Sequence, residues 1–525
     1  MNLGIEIRLA QLARAGQQHL LRTGLKGLEK ESLRMAPDGK LAQTPHPAAL
    51  GSALTHPWIT TDYSEALIEL ITPPHADSAE TLRALEDIHA FVYRHLGDEF
   101  LLATSMPCGI AGDETIPIAR FGNSNVGRMK HVYRLGLAYR YGRAMQAIAG
   151  VHFNYSVDEA LWPVLQDLAG NDDPPAKFIA DGYFGAVRNI HRYGWLPIYL
   201  YGGSPAVAKS FFTGRERLAA SFPEFDHGTL YRPYATSLRM SDIGYRNDSQ
   251  ASLDISFDNL DDYVASLTAA IGKPYPDYER IGVKVDGEYR QLNANILQIE
   301  NEYYSPIRPK QIARSGEKPT LALQRRGVRY LELRCMDLGW RDPTGVNLDE
   351  LRFLETFLLF CLLADSPFLG AEEKAETSRN GLAVACCGRT PGFRLFRAGG
   401  EVLLRDWAEE LIDAMRGVAE VLDGDDPLKP YTRCLDAREA AIADPDCTPS
   451  ARILEEMRES HESFEEYALR LSRQHAARLR ERSLSAELAA RFGLEAEQSW
   501  EEQRRIESGD RLSFDEFLQA YFAQG

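Results

Sequence analysis

Carboxylates recur inside strand-like apolar segments of this sequence. In GLEKESLRM, residues 27–35, the two-residue period of a strand places Glu29 and Glu31 on one face with Leu33 and Met35. Two ionised carboxylates on a half-buried face repel each other and lose hydration unless a cation lies between them. Taken alone, the segment is equally compatible with an exposed strand or helix that carries scattered charges.

Two further segments repeat this pattern. Glu69 lies in ALIELITP, residues 66–73, with aliphatic neighbours on both sides, and Asp62 precedes that strand in a turn-like approach. A glutamate in such an apolar run is rarely left unpaired. In YLELRC, residues 330–335, Glu332 shares a face with Arg334, an arrangement that by itself is typical of a structural ion pair.

A histidine completes the set of possible ligands. VHFNYS, residues 151–156, alternates strictly, so His152 and Asn154 face one way and the apolar residues face the other. A lone strand histidine is usually a hydrogen-bonded structural residue, but this one can join the carboxylates. Four such strands predict an antiparallel sheet with a polar, carboxylate-lined concave face. Oxygen-rich ligands of this kind favour Mg²⁺ or Mn²⁺.

The usual phosphate-binding loops are absent from the sequence. There is no GxGxxG, and the nearest approach to a P-loop, residues 122–127, is followed by Arg128 and Met129 in place of Lys and Ser or Thr. Without the lysine and the hydroxyl, this match is accidental. If the chain uses ATP, metals held by carboxylates are the obvious means of binding its phosphates.

Composition narrows the class of protein. The 525 residues are 44% hydrophobic and 26% charged, which is ordinary for a globular chain, and the net charge of −17 argues against nucleic acid or an anionic membrane as partner. No apolar run of about 18 residues and no signal peptide is found, and the seven cysteines are irregularly spaced. These features predict a cytoplasmic enzyme with reduced thiols.

The pattern of strand-like and helical segments predicts two parts of the chain. Short apolar strands alternate with turns and helical stretches up to about residue 370, and the remainder is mainly helical. We expect a catalytic core over 1–370 and a helical part over 371–525 packed on it, or one continuous domain. The charge-rich end of the chain predicts an amphipathic helix with a solvated surface.

Several of these stretches resemble the glutamate–cysteine ligase (γ-glutamylcysteine synthetase) family of the proteobacterial type. They include GLEKESLRM, TTDYSEALIELITP, SMPCGIA, GNSNVGRMKHVYRLGL, AIAGVHFNYS, RPYATSLRMSDIGY, LQIENEYYSPIRPKQIARSGE and YLELRCMDL. The similarity runs in family order from about residue 24 to 345 and is looser to 447–454. No single short pattern carries it, which makes the match specific.

The resemblance implies an α+β fold like that of glutamine synthetase, with a curved antiparallel sheet forming a funnel and helices outside. Matching positions for the contacts to divalent ions and phosphate are Glu29, Glu31, Asp62, Glu69, His152 and Glu332. Arg334 matches the arginine that contacts the transferring phosphoryl group, and Glu332 is the second residue expected to be catalytic. The family's cysteine pocket maps onto Tyr63, Tyr133, Leu137, Gln146, Arg239, Tyr245 and Tyr304. Tyr63 replaces an expected phenylalanine and adds a hydroxyl to the pocket wall.

The activity implied is ATP-dependent ligation of the γ-carboxylate of L-glutamate to the amine of L-cysteine, the first step of glutathione biosynthesis. It requires Mg²⁺ or Mn²⁺ and small-molecule substrates, with neither nucleic acid nor membrane as partner, and no oligomer is evident. Two alternatives stay open at this stage. One is a related carboxylate–amine ligase with another amine acceptor, and the other is a non-catalytic acidic protein that binds divalent ions.

Overall fold

The computed structural model describes residues 4–244, 249–250 and 253–524. Its centre is a seven-stranded sheet in the order β10-β11-β5-β1-β3-β2, with β4 paired to β1, and every pairing in it is antiparallel. The strands, in chain order, are β1 Leu25–Met35, β2 Ile59–Thr61, β3 Leu67–Ile71, β4 Phe100–Leu101, β5 Val151–Ser156, β6 Ala206–Ala208, β7 Thr229–Tyr231, β8 Lys284–Val285, β9 Glu288–Tyr289, β10 Ile307–Lys310, β11 Tyr330–Met336, β12 Arg394–Arg397 and β13 Gly400–Leu403.

Helices supply the remaining regular structure. They are α1 Ile5–Arg14, α2 Ser78–Tyr93, α3 Asn125–Tyr141, α4 Leu161–Ala169, α5 Pro175–Tyr193, α6 Trp195–Tyr201, α7 Glu216–Ala219, α8 Leu260–Gly272, α9 Pro276–Ile281, α10 Pro319–Arg326, α11 Leu348–Leu363, α12 Ala371–Cys387, α13 Leu404–Asp423, α14 Pro430–Ala443, α15 Pro449–Ser460, α16 Phe464–Glu481, α17 Ala486–Gly509 and α18 Phe514–Phe522. None of these helices is both long and apolar enough to cross a membrane within the described ranges.

The predicted α+β class and antiparallel sheet are confirmed. The four segments singled out in the sequence are β1, β3, β5 and β11, and they lie side by side in the sheet. The part after residue 370 is mainly helical and also contains the hairpin β12–β13. One large apolar cluster includes residues on both sides of residue 370, from Ile5 in α1 to Phe492 in α17.

Strand β1 is polar on both faces and buried on both. Behind the carboxylates, the Lys30 Nζ donates to Ser32 Oγ at 2.5 Å and lies 3.2 Å from the His89 Nε2 of α2. Arg34 is fully buried and forms an ion pair with Glu99 at 2.6 Å. Because Lys30, Ser32 and Arg34 are all shielded from solvent, the alternative of an exposed strand with scattered charges is wrong.

Candidate active site

Cross-strand register brings the predicted ligands onto one face of the sheet. Glu31 on β1 lies opposite Glu69 on β3, and Glu29 lies opposite His152 on β5. Two positions along β5, Asn154 pairs with Glu332 of β11. Because directly opposed residues of antiparallel strands point to the same side, the four strands present one continuous polar surface.

This surface is the floor of a cavity of about 330 Å³. The residues proposed from the sequence that line it are Glu29, Glu31, Asp62, Tyr63, Glu69, Tyr133, Leu137, Gln146, His152, Tyr304, Glu332 and Arg334. Helix α3 forms the opposite wall, and Tyr304 lies in the segment that precedes β10. Tyr245 lies outside the described residues.

Three side chains could hold one metal ion between them. One oxygen of Glu29, one nitrogen of His152 and one oxygen of Glu332 all lie within 4.8 Å of one another. The His152 Nδ1 is 3.1 Å from Glu29 Oε2 and 3.8 Å from Glu332 Oε1. Glu332 Oε2 is buried and has no hydrogen-bond partner among the described residues. A buried carboxylate oxygen without a donor fits coordination to a hard divalent cation.

The carboxylates facing these ligands are held in an unfavourable electrostatic environment. Burial raises the pKa of Glu69 well above its ordinary value, and repulsion from Glu29 and Asp62 acts in the same direction. Burial, together with repulsion from Asp62, raises the pKa of Glu31 to about 8. The Glu31 Oε2 accepts one hydrogen bond, from the Gly150 amide at 2.9 Å. A bound cation would relieve this repulsion.

A cationic flank lies at the β10–β11 end of the cavity. Burial alone would raise the pKa of Glu332, but the neighbouring Lys310 and Arg334 hold it well below its ordinary range. The Lys310 Nζ is 3.4 Å and the Arg334 Nη1 is 3.1 Å from Glu332 Oε1. Arg308 and Lys310, which were not proposed from the sequence, also line the cavity. Their alternation in IRPK was the available signal, since it places both on one strand face.

A second cationic flank, also missed, comes from α3. The Arg134 Nε donates to the Asp62 carbonyl at 2.5 Å, and its Nη2 is 3.7 Å from Asp62 Oδ1. One turn earlier, Lys130 lines the cavity, and burial together with Arg134 lowers its pKa to about 8. The four-residue spacing of Lys130 and Arg134 indicates a shared helix face.

Arg239 lies behind the cavity wall and is not among its lining residues. Only 1% of its surface is exposed, and its Nη2 donates to the Arg334 carbonyl at 2.9 Å. A Cβ added to Gly150 would lie 2.2 Å from that same nitrogen, so the guanidinium packs directly on the glycine backbone. Gly150 therefore contacts Arg239 on one side and holds Glu31 on the other.

Aromatic side chains close the cavity above the carboxylates. Tyr63 is buried, and its hydroxyl has no hydrogen-bond partner in the described part of the chain. The Tyr304 hydroxyl lies 3.1 Å from the Met240 sulfur. The backbone N–H of Tyr304 donates to Gln250 Oε1 at 3.0 Å. An aromatic pocket beside a carboxylate cluster with two cationic flanks can bind a metal-complexed polyphosphate next to a small organic molecule.

The sheet and its carboxylate-lined cavity define a candidate enzyme active site with residues that could hold a metal ion, and comparison with known proteins specifies the class of enzyme. The family model described as glutamate-cysteine ligase matches residues 9–384. The chain is 51% identical over 519 residues to a glutamate–cysteine ligase of Azotobacter vinelandii, and 50% identical over 516 residues to one of Pseudomonas paraeruginosa. Each alignment covers 98% of this chain and 97% of the relative. The chain belongs to the glutamate–cysteine ligase family.

Solved structures agree with this assignment. A crystal structure of glutamate–cysteine ligase from Francisella tularensis in complex with AMP superposes with a TM-score of 0.89 at 38% identity, covering 95% of this chain and 97% of that one. A bifunctional glutathione synthetase from Pasteurella multocida superposes with a TM-score of 0.73 at 26% identity, covering 94% of this chain and 58% of that one.

Proposed function

We propose that this chain uses ATP to join the γ-carboxylate of L-glutamate to the amine of L-cysteine, giving γ-glutamylcysteine, ADP and phosphate. The observation that carries the proposal is the meeting of Glu29, His152 and Glu332 with Arg334 in one cavity that also has an aromatic wall. The names of the relatives and the AMP of the Francisella structure support the same substrates.

The carboxylate face suits Mg²⁺ or Mn²⁺. Glu29, His152 and Glu332 would hold one ion, and Glu31, Asp62 and Glu69 offer oxygens for further ions on the same face. When bound, such ions would neutralise phosphate charge next to the carboxylate face, which would otherwise repel it.

The residues of the chain would act on two successive steps. An oxygen of the glutamate γ-carboxylate attacks the γ-phosphorus of ATP, the bond to the β-phosphate oxygen breaks, and ADP leaves. Arg334 would orient the transferring group, because a guanidinium donates paired hydrogen bonds to phosphate oxygens. The cysteine amine then attacks the acyl carbon of γ-glutamyl phosphate, loses a proton, and phosphate departs with the C–O electron pair.

The aromatic wall would select the amine. Tyr63, Tyr133 and Tyr304 enclose a space suited to a small thiol side chain. Arg239 would bind the cysteine carboxylate only after its guanidinium moves past Gly150, since it is buried as the structure stands. Leu137, Gln146 and Tyr245 complete the set proposed from the family resemblance.

The decisive experiment measures ADP release with glutamate, with and without cysteine, in buffer containing Mg²⁺, Mn²⁺ or EDTA. We expect turnover that depends on both amino acids, disappears in EDTA and returns with either ion. Full turnover in EDTA would contradict the proposal that Mg²⁺ or Mn²⁺ binds the carboxylate face. Replacing cysteine by a panel of other amines tests the alternative acceptor, and a preferred amine other than cysteine would revise the specificity alone.

A further inference from the structure

The last helix of the chain lies against the outer side of the helix that forms the active-site wall. Phe514, Leu518 and Tyr521 of α18 are buried against Met129 and Val132 of α3. The cluster is completed by Leu292 and Ile299, and it is separate from the large apolar cluster of the protein. The beginning of α3 therefore rests on α18 and on the segment around residue 299.

Two members of this cluster reach the cavity itself. Met129 and Ile299 both belong to this cluster and line the carboxylate cavity, and Tyr133, which also lines the cavity, packs against the same cluster. A shift of α18 would consequently be transmitted to the cavity by one layer of side chains. Protein interiors are close-packed, so such a layer transmits displacement rather than absorbing it.

Polar contacts fix the start of α3 to the same C-terminal segment. The Asn125 backbone N–H donates to Asp510 Oδ2 at 2.6 Å, and its side-chain amide donates to the Leu512 carbonyl at 2.9 Å. The Asn123 N–H donates to Glu507 Oε1 at 2.9 Å. Acidic groups at a helix N-terminus satisfy its free N–H groups and favour its dipole.

α18 is itself firmly seated. Ser513 and Glu516 form a capping box at its start, and the Arg128 guanidinium of α3 lies 4.4 Å from the Phe514 ring centroid. At its other end, the Lys318 Nζ donates to the Phe522 and Gln524 carbonyls at 2.9 and 2.8 Å. A helix anchored at both ends can hold its neighbour in one position.

We propose that the C-terminal segment, through Leu518 of α18 and Asp510 at the end of α17, positions α3 so that Met129 and Tyr133 form the wall of the acceptor pocket. The inference rests on the proposed function, because the acceptor is the cysteine of that reaction. α18 touches no substrate, and its residues act only through α3. At α18, the helical end of the chain thus contacts the outer side of the active-site wall through its apolar face.

The test compares two leucine truncations in the full-length chain. Leu518→Ala removes a buried side chain of the cluster, and Leu494→Ala removes the same atoms from an exposed position of α17. Loss of folded enzyme lowers the apparent kcat and leaves every KM unchanged, whereas a displaced α3 raises the KM for cysteine. We expect Leu518→Ala to raise that KM by about tenfold with a smaller change in the KM for ATP.

Further variants and a second readout keep the result decisive. Leu518→Met should have a cysteine KM close to that of the wild type. If Leu518→Ala does not fold, Asp510→Asn, which keeps the side-chain volume, serves as the test in its place and should raise the cysteine KM. Amide hydrogen exchange over residues 125–133 should accelerate in Leu518→Ala and not in Leu494→Ala. An unchanged cysteine KM in both Leu518→Ala and Asp510→Asn would overturn the inference, whereas a wild-type chain without glutamate- and cysteine-dependent ADP release would overturn the proposed function instead.

Discussion

Glu31 and Glu69 face each other directly across the β1–β3 pair, and both line the cavity. Like charges in directly opposed positions of a sheet are destabilising. Burial raises the pKa of both carboxyls and repulsion from Asp62 adds to each shift, so either a proton or a bound cation would relieve the repulsion. The repulsion between these two carboxyls and the expected affinity of the site for cations therefore have the same origin.

Glu69→Gln and Glu332→Gln should each lower kcat by about 10²-fold, comparable to the loss of one transition-state contact. Both substitutions keep the side-chain volume and remove a carboxylate that faces the bound ion. Steady-state ADP release at saturating substrates measures the loss. Glu80→Gln, on the exposed side of α2, is the matched control and should leave kcat unchanged.

The same Glu69 variant has a distinct effect on stability. In EDTA, Glu69→Gln should be at least as stable as the wild type, because burial already favours the neutral form of this carboxyl. The rise in thermal midpoint on adding Mg²⁺ should be smaller in the variant than in the wild type. A variant that is unstable without the ion and normally stabilised by it would make Glu69 a structural residue.

Arg334→Lys should lower kcat at saturating cysteine, because the ammonium keeps the charge but loses the planar pair of donors. Arg334 is a neighbour of Glu332, so the lysine would still compensate the buried carboxylate and the fold should survive. Arg329→Lys, at an exposed position just before β11, controls for the substitution itself. Equal turnover in the two variants would remove Arg334 from the phosphoryl step.

Gly150→Ala should raise the KM for cysteine, as should Arg239→Ala. A Cβ at position 150 would lie 2.2 Å from the Arg239 Nη2 and must displace the guanidinium proposed to bind the cysteine carboxylate. Gly493→Ala in α17, where a Cβ meets no other atom within 4 Å, is the matched control. Unchanged cysteine KM in both Gly150→Ala and Arg239→Ala would exclude Arg239 from the acceptor pocket.

Acid should destabilise the protein through buried neutral histidines. The His56 Nδ1 accepts hydrogen bonds from the Trp58 and Ile59 amides, and burial lowers the pKa of His56 from 6.5 to about 4. Below pH 6.5 the histidine of the unfolded chain binds a proton, whereas that of the folded chain stays neutral down to about pH 4. The free energy of unfolding therefore decreases as the pH falls from 6.5 to about 4. At pH 5 the loss is about 2 kcal/mol.

His56→Asn removes the titrating ring while keeping an oxygen that can accept from the same two amides. The difference in free energy of unfolding between pH 7 and pH 5, measured by denaturant titration, should be about 2 kcal/mol smaller than in the wild type. His461→Asn, at an exposed helix end with positive φ that asparagine tolerates, should leave the difference unchanged.

The faces of the strands were predictable because alternation is a local property. The two-residue period alone assigned Glu29 and Glu31 to one side and His152 to the functional side of its own strand. The order of the strands was not accessible in this way, since β1 pairs with β5 across more than one hundred residues of intervening chain. Only the assembled sheet places Glu29 opposite His152.

The residues not proposed from the sequence lie on the edge strand β10, as Arg308 and Lys310 do, and on helix α3. Lys130 and Arg134 share a helix face by their spacing, but the sequence of α3 does not tell which of its faces meets the sheet. The same ambiguity applies to α18, where Phe514, Leu518 and Tyr521 lie on one side of a short helix. Their apolar pattern indicates that something covers them, and only tertiary packing identifies α3.

The two-sided polarity of β1 bears on the fidelity of folding. A slip of one residue against β3 and β5 would turn Lys30 and Arg34 toward the cavity and place Glu29 and Glu31 beneath α2. The carboxylates would then be buried without a cation, and Arg34 would lose Glu99. The opposite charges on the two faces of β1 therefore help to specify the register of the strand. A mispaired sheet would be less stable than one in which only an apolar pattern was displaced.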